Sequence, residues 1–534
     1  MSVGSPAHGD LRGGTHDRGA RRAGSAPSRA SLAVAGLTVL GAALRFYGLG
    51  HQGFWFDEAN TAQLVRFPPG KMLGLIPQTE STPPLYYCVA WVWSRVFGDG
   101  EAGLRSLSAV AGVALVPVAY LATTQLISRR AGLIAAALTA ANPLLIWYSQ
   151  EARSYELLVL LTAVALLAFA MLRAAPSGRR AALWAVASAL ALATHYYAVI
   201  AILPQAAWLA YEHRSRRPVR IALGIVALCG LALIPLALSQ NSTGHDSWIA
   251  HASLRLRLAQ IIPQFLIGTG APARTLLKFL AIALALAALA ALAAPALPAP
   301  ALPAARARGA ASAPERSRAL AAGALALVGF ALSLAFVAAG SDALITRNIL
   351  PIWLPLAMLV AGSLAGARSR ALGPAVTVAL CVIGVVATVG VATDRNLQRP
   401  DWRGVARVLG PSPARGSARV ILIQHYRTLL PLSLYLPALK VLHRPAAVRE
   451  IDVVSISSPQ QPLCWWGAAC NLIPSRMQAA YDVPGFHELW RRRIDQFTIL
   501  RLVADRPVRV SRTRVSRALT ATTLRNDDLL IQRS

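Results

Sequence analysis

The sequence predicts a mainly α, polytopic membrane protein carrying a small C-terminal soluble α/β domain. Three observations predict it. Of the 534 residues 55% are hydrophobic and only 14% are charged, and the mean hydropathy of +0.49 exceeds what a water-soluble fold can bury. Apolar segments long enough to cross a hydrocarbon core, which takes roughly 20 residues, recur through the first three quarters of the chain. Beyond about residue 393 the character changes to Pro, Gly and charge between short β-prone runs such as Arg419–Gln424 and Phe497–Val503.

Residues 1–30 are rich in Gly, Ser, Ala and Arg, with too little apolar surface to fold, and read as a disordered basic cytoplasmic tail. The membrane domain then covers 31–392. About eleven spans are expected within it, at 31–50, 103–126, 131–147, 155–173, 181–195, 197–212, 219–238, 275–294, 318–339, 348–366 and 371–392. A cytoplasmic N-terminus makes every second connection cytoplasmic. Those connections (Arg129–Arg130, Arg173 to Arg180, Arg214 to Arg220, Arg306 to Arg318, Arg368 to Arg370) are short and basic, whereas the opposite ones carry Asp57, Glu58, Glu80, Glu151, His195, Asp246 and Asp342. Positive charge inside and the helix count therefore agree on a multi-pass membrane protein with a cytoplasmic N-terminus. An odd number of spans places the domain 393–534 outside, although it carries 22 Arg or Lys against 10 Asp or Glu between 394 and 534. In it Cys464 and Cys470 form a candidate disulfide, with two free thiols as the alternative.

The formal charge of +30 does not indicate nucleic acid. All but three of the 53 basic residues (Lys71, Lys278, Lys440) are Arg, and they are dispersed between apolar runs rather than gathered in a groove. No phosphate-binding Gly-rich loop or dinucleotide fingerprint occurs, which disfavours nucleotide-driven chemistry.

Polar chemistry gathers at the expected exterior ends of the spans. The long first exterior loop, 51–102, contains Gly53-Phe54-Trp55-Phe56-Asp57-Glu58, two carboxylates among aromatic rings at the depth of the headgroups. A carboxylate in such a partly apolar setting is suited to general-base work; an ordinary acidic turn is the plain alternative. The same loop holds Glu80, then Pro83-Pro84, which fix an extended entry into a helix, and then Tyr86-Tyr87, able to stack on a sugar or anchor at the interface. Leu104-Arg105-Ser106 opens the second expected span. Ser149-Gln150-Glu151-Ala152-Arg153-Ser154-Tyr155 lies at the next exterior turn, where charges are costly unless paired; a Glu151–Arg153 ion pair is the simplest pairing. His195-Tyr196-Tyr197 and Thr346-Arg347-Asn348 occupy later turns. The stretch Leu254 to Ile267 is amphipathic and reads as an interfacial helix.

This ordered set of motifs, spread over roughly residues 31 to 366, resembles the polytopic GT-C glycosyltransferases, in particular the bacterial branch related to protein O-mannosyltransferases and to the enzyme that adds aminoarabinose to lipid A. The resemblance implies a GT-C transmembrane helix bundle, a polyprenyl-phosphate-linked sugar donor, and inverting transfer to an envelope glycan, lipid or protein outside the membrane. It implies Asp57 as general base with Glu58 supporting it, and Arg153 and Arg347 neutralising the donor phosphate. Glu80, His195, Tyr86 and Tyr87 are implied as acceptor or sugar contacts or as metal ligands. No cofactor is required by this chemistry, and a divalent metal is left open. After Arg347 the chain continues Asn-Ile-Leu-Pro where many relatives carry an aromatic residue. A transporter of polyprenol-linked substrates and a non-catalytic assembly scaffold are the competing readings. The first is disfavoured because charge lies at helix ends rather than at the midplane and no internal repeat is evident.

Overall fold

The computed structural model describes residues 28–245, 247–293, 313–367, 371–411, 418–423, 429–456, 483–511, 513–515 and 529–533. Most of the tail 1–30, Asp246, the Ala/Pro/Arg linker around 294–312 and both Cys464 and Cys470 lie outside the described residues. Cys88, Cys229 and Cys381 are free thiols.

Among the described residues eighteen α-helices form, in chain order: α1 (Arg29–Phe46), α2 (Phe56–Arg66), α3 (Pro69–Thr79), α4 (Leu85–Phe97), α5 (Glu101–Leu126), α6 (Arg129–Ala141), α7 (Pro143–Ser149), α8 (Tyr155–Ala174), α9 (Gly178–Thr194), α10 (Val199–His213), α11 (Arg217–Ser242), α12 (Leu254–Ile267), α13 (Arg274–Ala293), α14 (Ala313–Ala338), α15 (Trp353–Ala365), α16 (Leu372–Thr393), α17 (Trp402–Leu409) and α18 (Leu429–Tyr435). Seven of them, α1, α5, α8, α11, α13, α14 and α16, are long and apolar enough to cross a membrane, and the bent pair α6–α7 makes an eighth if counted as one span. Each of the eleven expected segments falls on a helix. Three of these helices, α9, α10 and α15, have 17, 15 and 13 residues, short of a full crossing at 1.5 Å per residue.

The break between α6 and α7 is a 56° bend, and its cause is local. Pro143 cannot donate to the preceding turn, so the helix restarts, with the Asn142 side chain accepting from the amides of Leu144 at 3.1 Å and Leu145 at 3.0 Å. The carbonyls stranded at the end of α6 need donors in an apolar surrounding. Arg45 of α1 supplies them. Its Nη1 donates to Ala140 O at 3.0 Å and its Nη2 to Thr139 O at 3.0 Å, while Nε donates to Ser149 Oγ at 3.0 Å. Gly112 of α5 lines this polar knot, and a Cβ there would stand 2.6 Å from Arg45 Nε and 2.8 Å from a Glu156 carboxylate oxygen. Only glycine lets α5 approach so closely. The knot fixes the end of α7, and with it the turn from Gln150 to Ser154 that follows.

Among the described residues the C-terminal domain forms a six-stranded sheet with the order β2-β6-β1-β3-β5-β4. Its strands are β1 (Ala418–Ile423), β2 (Leu439–Val441), β3 (Ala446–Ile456), β4 (His487–Ile494), β5 (Phe497–Val510) and β6 (Leu529–Arg533). β1 and β3 run parallel and the remaining neighbours antiparallel. The two β-prone runs expected from sequence are β1 and the first half of β5. One face of the sheet packs on Trp402 and Val405 of α17 and Leu432 of α18. Leu430 and Leu434 of α18 in turn pack against the cluster that holds Phe54 and, on α2, Ala59 and Ala62, so the sheet domain sits on the end of the bundle where α2 to α4 lie.

Candidate active site

Asp57 and Glu58 occupy the first turn of α2, where the helix dipole favours negative charge. Successive helical residues point about 100° apart, and the two carboxylates diverge accordingly. Glu58 turns into the bundle, fully buried, and takes Arg105 of α5 in a fork: Nε to Oε1 at 2.7 Å and Nη2 to Oε2 at 2.6 Å. The amide of Ala152 adds a third bond at 2.8 Å. Burial alone would raise the pKa of Glu58, but the charge and hydrogen bonds of Arg105 outweigh it and the pKa is lowered.

Asp57 faces the open side. One carboxylate oxygen accepts from Arg347 Nη1 at 2.9 Å, and both side chains keep some exposure, 15% and 18%. Arg347 lies under two rings, 5.5 Å from the centroid of Tyr155 and 5.4 Å from that of Trp248, and its buried Nε has no hydrogen-bond partner. Arg257 of α12 braces the approach to Arg347 by donating to Leu344 O at 3.0 Å and to Asp342 at 2.7 Å. The amphipathic stretch 254–267 is thus a helix with a charged tether.

Arg153 and Glu80 pair in a second buried fork, Nη1 to Oε1 at 2.8 Å and Nη2 to Oε2 at 2.9 Å. Asn60 of α2 donates to the same Glu80 Oε1 at 2.7 Å, and Arg153 Nη1 also reaches the Asp57 carbonyl at 3.3 Å. Tyr87 stands 5.9 Å from the Arg153 guanidinium, with its hydroxyl 3.1 Å from Thr82 Oγ1. Tyr86 meets Tyr87 edge to face at 5.6 Å. Burial raises the pKa of both tyrosines.

The simple expectation of a Glu151–Arg153 pair is corrected by this geometry. Arg153 is committed to Glu80, and Glu151 turns the other way to Arg399, in the link between α16 and the sheet domain, at 3.0 Å with both side chains buried. Arg399 also stacks 3.9 Å above the Trp147 ring. Burial raises the pKa of Glu151 despite Arg399, helped by Glu58 and Asp57. Sequence reasoning missed Arg399; its one signal is an arginine placed just past the last apolar segment.

His195, at the end of α9, is buried, and its Nδ1 accepts from the Tyr197 amide at 3.2 Å. That bond leaves the proton of a neutral ring on Nε2. Burial first, then the charges of Arg347 and Arg153, lower its pKa to about 3. Among the described residues no three His, Cys, Asp or Glu side chains gather as a metal-ligand set.

The structure therefore brings Asp57, Glu80, Arg153, Arg347, His195, Tyr86 and Tyr87 to one rim of the bundle and sets Glu58 behind them. A solved structure shares the scaffold. The crystal structure of ArnT from Cupriavidus metallidurans bound to undecaprenyl phosphate superposes with a TM-score of 0.51 at 15% identity, covering 88% of this chain and 97% of that one. Residues 81–239 match the family model described as dolichyl-phosphate-mannose-protein mannosyltransferase. The chain thus shares the GT-C fold of that ArnT structure, and part of it is similar to the mannosyltransferase family model. The S. cerevisiae protein O-mannosyltransferase Pmt1-Pmt2 complex bound to the sugar donor also matches, at 17% identity over 40% of this chain and 33% of that one, with a TM-score of 0.30. No curated protein sequence matches the chain.

Proposed function

We propose that this GT-C protein is a glycosyltransferase that moves a sugar from a polyprenyl-phosphate-linked donor to a cell-envelope acceptor at the outer face of the plasma membrane. The observation that carries the reading is the Asp57–Arg347 pair, the one rim pair in which both partners are part-exposed and the guanidinium keeps an unused buried donor. The match to ArnT bound to undecaprenyl phosphate supports a donor of that class.

In this mechanism the acceptor hydroxyl approaches Asp57 and passes it its proton. The acceptor oxygen attacks the anomeric carbon from the face opposite the phosphate, and the bond from that carbon to the phosphate oxygen breaks with both electrons leaving on the phosphate. The sugar is transferred with inversion. Negative charge grows on the phosphate as the bond breaks, which is where a preorganised cation is worth most. Arg347, with Nε and its remaining N–H groups, can bind phosphate by charge-assisted bonds while one N–H still orients Asp57. Arg153 adds positive potential and holds Glu80 beside Asp57. Neutral His195 offers Nε2–H to a sugar or acceptor oxygen, Tyr86 and Tyr87 wall the site, and Glu58 fixes the start of α2.

The test is transfer of radiolabelled sugar from polyprenyl-phosphate donors to envelope extracts by the purified protein. Wild type is expected to transfer label and Asp57→Asn to lose roughly 10²- to 10⁴-fold of the rate, the usual range for a general base. Donor left intact by wild type while labelled polyprenol crosses reconstituted vesicles would replace the transferase with a transporter. Cellular function that survives Asp57→Asn would point to a scaffold.

A further inference from the structure

The start of α2 has no side-chain cap hydrogen bond, since Trp55 stands at the cap position. Where Asp57 sits is set from behind by Glu58 in its fork with Arg105, and from ahead by what grips residues 49–54. Arg105 grips them from within the bundle, donating to Leu49 O at 3.0 Å, Gln52 O at 2.7 Å and Gly53 O at 3.0 Å. The second grip comes from the sheet domain. The hydroxyl of Tyr435, on α18, accepts from the Phe54 amide at 2.7 Å and donates to Glu101 Oε1 at 2.8 Å. Arg403, on α17, reaches the same Glu101 oxygen at 3.3 Å, Gly50 O at 3.1 Å, and His51 O. The Arg399 amide donates to Gln52 Oε1 at 3.1 Å. The approach is tight enough that a Cβ on Gly53 would stand 3.1 Å from Arg403 Cβ and 3.3 Å from the Tyr435 hydroxyl.

Resting on the transferase reading, we propose that Tyr435 and Arg403 are positioning residues for transfer, so that the sheet domain is a clamp on the loop that carries Asp57. The Phe54 amide, bound by Tyr435, is three residues from Asp57, and α2 starts in the direction this loop gives it. A base must meet its proton within hydrogen-bond reach, and misplacement by about 1 Å can cost ~10²-fold in rate. The clamp acts on the base and not on the phosphate, because Arg347 is held separately, through the segment that Arg257 braces.

The experiment uses full-length protein in lipid nanodiscs, comparing wild type, Tyr435→Phe, Arg403→Gln and, as control, Arg444→Gln at an exposed position of the same domain. Deuterium exchange is followed in a peptide covering 50–58 and, as a check that the domain stays folded, in one covering β1. Turnover is followed as kcat and donor KM separately. Both clamp variants are expected to exchange faster in 50–58 with β1 unchanged, and to lose about tenfold in kcat with donor KM within about twofold, while Arg444→Gln behaves as wild type. Unchanged exchange in 50–58, or faster exchange with kcat intact, overturns the proposal. If one clamp variant fails to fold, the other decides. If wild type transfers no sugar, the transferase reading falls, and the exchange result alone still decides whether the sheet domain holds the loop.

Discussion

Asp57 and Glu58 are adjacent in one helical turn and each pairs with an arginine, yet the two pairs are built for different ends. Glu58 has both oxygens and a third bond engaged, and Arg105 spends its remaining donors on three backbone carbonyls. Nothing in that pair is free to meet a substrate. Asp57 spends one oxygen on Arg347, and Arg347 keeps Nε unbonded. A buried ion pair holds its ground because desolvated charges have nowhere else to go; a part-exposed pair can exchange partners. The difference lies in the hydrogen-bonding capacity left over, since the residue types are the same.

The largest expected effect breaks the closed pair. Arg105→Gln leaves Glu58 charged and buried without its partner and is expected to cost about 3–5 kcal/mol of stability, read as a lowered Tm or loss of folded protein. Asp57→Asn, in contrast, is expected to lower Tm less than Arg105→Gln does, because the Asp57–Arg347 pair keeps some contact with solvent, while abolishing most of the transfer. If the two variants exchanged these phenotypes, the assignment of Glu58 to structure and Asp57 to chemistry would be wrong. A smaller effect sharpens the open pair. Arg347→Lys keeps the charge but not the planar fork, so the ammonium serves Asp57 or the phosphate less well when both compete. A loss of about 10- to 100-fold in kcat/KM with Tm nearly unchanged is expected, and wild-type kinetics would remove Arg347 from the site.

Much of this arrangement was legible in the sequence, and the part that was not has a common cause. Hydropathy and loop charge fix the depth of a residue along the membrane normal. Asp57, Glu80, Glu151, Arg153, His195 and Arg347 all come to one end of the bundle, as their places at segment ends suggested. Depth leaves open which residue stands beside which around the bundle, because that is set by helix packing. Asp57 meets Arg347 across 290 positions and Glu151 meets Arg399 across 248; no local pattern encodes either. The nearest acidic partner for Arg153 in sequence is Glu151, but their turn points the two side chains to opposite walls. Likewise 131–147 reads as one apolar run, and only Asn142-Pro143 hints that it is two helices. The need for an arginine inside α1 becomes plain only when the stranded carbonyls of α6 are seen beside it.

The smallest effect concerns a third kind of polar group on the same rim, one kept neutral. His195 has its pKa lowered to about 3, by burial first and then by Arg347 and Arg153, against about 6.5 in an unfolded chain. Between these values the unfolded state binds a proton that the folded state refuses, so this contribution is fully present above about pH 6.5 and is lost as pH falls toward 3. The slope is at most ~1.4 kcal/mol per pH unit. Tm measured from pH 7.5 down to 5 is expected to fall, and His195→Gln to flatten that fall; parallel curves would mean that the ring carries its charge in the fold. That outcome would also undo the comparison between the pairs. An imidazolium here would compete with Arg347 for Asp57 and share any incoming phosphate, whereas a neutral ring leaves Arg347 as the cation that faces both.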